Sequence, residues 1–146
     1  MPNAGQRYDT GGSITLPPGK WQVNYGSVMI LYDSTDPSNS YPVITSDTQI
    51  WVLSLLSDTP GGAMSADIQV GSGGGRQGAG NFTRGSKYGM VLGSVQIYNS
   101  TSSPKTYYMS AFWTYPASSF PATVMRPTGL FSNAAWERWI YALPIN

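Results

Sequence analysis

The chain has 146 residues, of which 10% are charged, eight basic against seven acidic, and it contains no cysteine and no histidine. That length suits one domain with a single core. The missing residue types exclude a Cys–His zinc site, a thiol nucleophile, a disulfide frame, a Ser–His–Asp triad and histidine acid–base chemistry, and a formal net charge of +1 lacks the electrostatic footprint of a nucleic-acid binder.

Residues 1–13 lack the basic, apolar, small-residue order of a signal peptide. The apolar runs are too short to span a bilayer, so no stable membrane anchoring is expected. From there the hydrophobic period is two. Ile14 and Leu16 alternate around Thr15. Trp21, Val23 and Tyr25 alternate with Gln22 and Asn24, followed by an apolar run over Val28–Tyr32. Residues 48–56 are apolar on both faces. Ile68 and Val70 flank Gln69, Met90–Leu92 lead into Val95, Ile97 and Tyr98, residues 106–115 carry large side chains on both faces, and Val124–Met125 make a short piece. Residues 134–143 place Trp136, Trp139, Ile140 and Leu143 at helical spacing. The β-forming Ile140 and Tyr141, and Pro144 after Leu143, predict a strand instead.

Turn signals separate these runs: Pro17-Pro18-Gly19, Asp36-Pro37, Asp58 to Gly62, Asn99-Ser100-Thr101 and Pro127-Thr128-Gly129. Short strands at such intervals predict an all-β sandwich or barrel with little or no helix. Strands apolar on both faces, with nineteen aromatic side chains in all, exceed what one core of this size needs. The excess predicts a homo-oligomer, since permanent interfaces resemble a core cut in half.

Catalytic and ligand signals are sparse. Gly73, Gly75 and Gly78 match the spacing of a dinucleotide loop, but no helical pattern follows to receive a pyrophosphate; the glycine stretch 71–80 reads as a mobile hairpin tip. Arg76, Arg84 and Lys87, with Tyr88 beside them, form a basic cluster that could receive an acidic ligand or serve as a solvated loop. Tyr32, Tyr41, Tyr88 and Tyr98 fall at strand ends or loops, where rings serve recognition or rim packing. Paired carboxylates are the remaining acid–base option, yet Asp33, Asp36 and Asp58 occupy ordinary turn positions, and Glu137 sits beside Arg138. Asp33, Asp36 and Asn39 lack the full calcium-loop pattern. No catalytic residue, metal or cofactor is assigned. The sequons at Asn81 and Asn99 read as incidental.

Residues 12–32, GSITLPPGKWQVNYGSVMILY, resemble the opening of a TNF/C1q-like jelly roll: a short strand, a Pro-Gly turn and a long aromatic strand. The closing run from Trp136 to Asn146 is similar to the last strand of that fold. The resemblance is to the trimeric knobs that cap bacteriophage tail needles and tail fibres. It implies a jelly-roll β-sandwich of about eight antiparallel strands, with residues 1–11 an N-terminal extension from a shaft and 12–146 the knob. It implies a homotrimer at the tip of the virion, outside the cell, that contacts a host glycan, protein or envelope without catalysis. Tyr25, Tyr107, Phe112, Trp113, Trp139 and Tyr141 become candidates for the trimer interface. The alternatives are a lectin-like adhesin, a carboxylate-dependent glycan hydrolase and a capsid-decoration protein.

Overall fold

The structure is a computed structural model that describes residues 7–30, 50–69, 78–82, 88–114 and 138–146. These residues hold seven strands: β1 (Tyr8–Leu16), β2 (Gly19–Ile30), β3 (Ile50–Ser57), β4 (Gly78–Phe82), β5 (Tyr88–Asn99), β6 (Lys105–Thr114) and β7 (Arg138–Pro144). Every pairing is antiparallel, in the order β1-β6-β3-β4-β5-β2-β7. β1 pairs with β6, β2 with β5 and β3 with β4. This is the nesting of one long hairpin wrapped around a core, as expected for a jelly roll. The β4–β5 ladder holds only Gly78↔Gly93 and Ala79↔Leu92. There the order divides into two antiparallel sheets, β1-β6-β3-β4 and β5-β2-β7, that face each other as a β-sandwich.

Alternation explains the core. Val23, Tyr25, Val95 and Ile97 point inward from one sheet, and Leu16, Leu56, Tyr107 and Met109 from the other. β3 is buried on both faces, with Leu53 and Leu55 on one side and Ser54 and Leu56 on the other. From Leu53 to Ser57 both faces are therefore covered within the chain. The segment after β3 bridges the sheets. Ser65 N donates to Leu56 O at 2.9 Å, while Tyr98 N donates to Asp67 O and Gln69 N to Gln96 O, both at 2.9 Å.

The outermost strands are also tied. β1 bulges between Asp9 and Gly12. Gly11 takes a φ of 75° there, in the left-handed region that favours glycine, and donates its N–H to Asp9 Oδ1 at 2.8 Å. The bulge frees the Thr10 carbonyl to accept from Arg138 Nη1 of β7. A Cβ on Gly11 would lie 2.8 Å from that nitrogen, so a side chain there would also push the guanidinium aside. The connections that cross between the sheets turn where the turn signals predict: after β1, Trp21 Nε1 donates to Pro17 O at 2.9 Å. Between β5 and β6, Asn99 Nδ2 donates to Leu16 O and Ser103 O, and its Oδ1 accepts from Thr101 N and Oγ1.

Several expectations need correction. β1 starts at Tyr8, inside the segment read as an extension, because Tyr8 and Asp9 pair with Ala111 and Ser110. Gly78–Gly80, read as part of a mobile tip, belong to β4. Ile68 makes a lone bridge to Ile97 and no strand. Residues 134–143 are extended from Arg138 onward, as predicted. Val124–Met125, Tyr32, Tyr41, Trp136 and Glu137 lie outside the described residues.

Asn99 is the test of the β5–β6 closure. Four hydrogen bonds on a buried amide, each with a modest net value, predict that Asn99→Ala costs about 3 kcal/mol. Urea unfolding should show a lower midpoint with an unchanged slope.

Candidate functional site

The outer face of β5-β2-β7 follows from the register. Gln22 stands opposite Gln96 and Leu143, Asn24 opposite Ser94 and Tyr141, Gly26 opposite Leu92 and Trp139, and Val28 opposite Met90. None of these residues is charged. The alternation that sends Val23 and Tyr25 inward sends this row outward. Four apolar side chains on it keep about half their surface: Tyr141 at 51%, Leu143 at 56%, Leu92 at 51% and Met90 at 50%. Exposed apolar residues scattered singly are ordinary, whereas a contiguous group marks a contact surface.

Two local features shape the face. The Trp139 indole lies over Gly26: a Cβ there would fall 2.3 Å from two of its ring carbons. Glycine opposite a large ring is a packing device, and the glycine gives the indole its seat. Beside it, Gln22 Nε2 donates to Ser94 Oγ at 2.9 Å and Val95 O at 3.3 Å, and Ser94 Oγ donates to Asn24 Oδ1 at 2.7 Å. Asn24, Leu92, Ser94, Trp139 and Tyr141 line a concavity of about 360 Å³.

The predicted interface residues divide. Trp139 and Tyr141 lie on this face. Tyr25 and Tyr107 do not: they are 1% and 0% exposed within the single chain, so neither has surface left to give a partner copy. Both are core residues. Phe112 and Trp113 lie on β6 opposite Leu53 and Val52. Of the basic cluster, Arg76, Arg84 and Lys87 lie outside the described residues, while Tyr88 opens β5 opposite Ile30.

A second cluster joins residues distant in sequence. Lys105 Nζ lies 2.7 Å from Asp67 Oδ2 and 3.1 Å from Asp58 Oδ1, and Tyr107 OH donates to Asp67 Oδ2 at 2.7 Å. Burial acts to raise the Asp67 pKa, but the hydrogen bonds from Lys105 and Tyr107 and the Lys105 charge outweigh it, so the carboxyl is held below its usual range. The hydrogen bond to Asp67 raises Lys105, against the opposing effect of burial and with help from Asp58. Burial, then the Asp67 hydrogen bond, pushes the Tyr107 phenol up. A glycosidase acid needs a raised carboxyl pKa; Asp67 is shifted the other way, into the role of a structural anion. Among the described residues, no group of three His, Cys, Asp or Glu is placed to hold a metal ion.

Compared with protein-family models, with curated proteins and with solved structures, the chain matches none.

Two outcomes follow from this geometry. Gly26→Ala should displace Trp139 at a cost of about 1–3 kcal/mol, read as a red shift in tryptophan emission. Asp67→Asn should lose about 1–2 kcal/mol at neutral pH. A depressed Asp67 pKa contributes stability that is full above its unfolded value near ~3.9 and is lost as pH falls through the folded value. Wild type and variant should therefore converge in acid, as measured by urea midpoints across pH.

Proposed function

We propose that this chain is a binding head: the homotrimeric knob of a bacteriophage tail needle or tail fibre, carried at the tip of the virion and set against a host glycan, protein or envelope. It acts by association and contact and makes or breaks no bond. The observation that carries this reading is the uncharged outer face of β5-β2-β7, where Leu92, Tyr141 and Leu143 stay about half exposed in the single chain. The nested strand order agrees with the jelly-roll resemblance. A native mass of three chains at micromolar concentration is the expected result. A monomer at that concentration would overturn it.

The concavity beside Trp139 and Tyr141 favours a second reading, a lectin-like adhesin. Ring faces and small polar side chains are what a sugar-recognising surface uses. Titratable binding of a neutral glycan by the monomer would put that reading first.

A further inference from the structure

We infer that the outer face of β5-β2-β7 is a dry seam against a second copy of this chain, and that the Gln22–Ser94–Asn24 ladder is what allows its polar atoms to be buried there. This rests on the oligomeric head reading and specifies where the copies meet.

Charge is the first argument. From Gln22 to Val28, Met90 to Gln96 and Trp139 to Leu143, no outward position carries a charge; Lys20 stands at the rim, 6.0 Å from the Tyr98 ring. A face of one sign repels its own copy, whereas a neutral face is compatible with itself. Over Gln22–Val28 and Met90–Gln96 the uncharged face runs about 24 Å along the strands and about 15 Å across three of them, a size for the centre of a standard interface, whose ~800 Å² per partner includes a polar rim.

Hydrogen bonding decides between occupants. A face that meets sugars keeps donors and acceptors free for hydroxyl groups. Here Gln22 Nε2, Ser94 Oγ and Asn24 Oδ1 are committed to one another and to the Val95 carbonyl. Such a row can lose its water without leaving these atoms unpaired. Asn24, at its end, keeps its amide nitrogen for an acceptor on the second copy. Around the ladder the exposed groups are mainly aliphatic, with Met90, Leu92 and Leu143 beside Tyr141. That composition matches the core of a permanent interface.

The experiment is native mass spectrometry with sedimentation on wild type, Tyr141→Glu, Leu143→Glu and Ser94→Ala, with Met64→Glu as an exposed control off this face. The glutamate variants should be folded monomers by circular dichroism, and Met64→Glu should assemble like wild type. Ser94→Ala should raise the dissociation constant about tenfold or more, because Asn24 Oδ1 loses its donor and Gln22 Nε2 one of its two acceptors in a dry seam; on a wet face, water would replace the hydroxyl with no change. An assembled wild type whose mass survives both glutamates overturns the seam and leaves the oligomeric head standing. A monomeric wild type overturns that head as well. Neutral-glycan binding lost in Tyr141→Ala would assign the face to a sugar instead.

Discussion

A phenol ring without exposed surface still has a hydroxyl to satisfy, and the way Tyr107 does so ties the sandwich together. Its ring fills the space between the sheets. Its hydroxyl reaches Asp67 at 2.7 Å, on the segment that crosses from the edge of β3 to the edge of β5. The carboxylate is affordable there because Lys105 neutralises it from the adjoining end of β6. Removing Asp67 would leave the Tyr107 hydroxyl without this acceptor and Lys105 with Asp58 alone. The spacing of the sheets, the path of the bridging segment and the start of β6 are thus settled together.

The same period-two pattern has different outcomes in different strands. β3 carries apolar residues on both faces and buries both inside the chain. β2 and β5 bury one face, β7 half-buries its own at Ile140 and Ala142, and all three leave the other partly open. Whether a large side chain belongs to a core or a contact surface therefore depends on its strand's place in the sheet order. Tyr25 and Tyr141 illustrate this: both lie in the β5-β2-β7 sheet, one without exposed surface and one about half exposed.

Much of the fold was legible because it is local. The alternation around Trp21, Val23 and Tyr25 identified the buried face of β2, the Pro-Pro-Gly turn identified the break between β1 and β2, and Pro144 with its β-forming neighbours identified β7. What was not legible is long-range. Lys105 and Asp67 are 38 positions apart, and neither residue's neighbours announce the pairing; Asp58 looked like an ordinary turn residue. The assignment of Tyr25 and Tyr107 to an interface failed because alternation separates two faces without saying which is the core. The outer face was half legible. The uncharged partners Gln22 and Asn24 were visible as the polar side of β2, but their alignment with Ser94, Leu143 and Tyr141 depends on register. The seating of Trp139 over Gly26 has a faint sequence signal, a lone glycine in a strand otherwise rich in side chains.

The closure of the β5–β6 turn has a consequence for how the chain would fare in a secretory cell. Asn99-Ser100-Thr101 is an acceptor sequence for N-linked glycans, yet in the folded chain both donor positions of the Asn99 amide nitrogen are occupied, by the Leu16 and Ser103 carbonyls. The nitrogen a transferase must reach is open only before β1, β5 and β6 come together. Glycan occupancy at Asn99 would then be a clock, recording the fraction of chains met by the transferase ahead of folding. It would turn a modification that the mature structure resists into a measure of how quickly that structure forms.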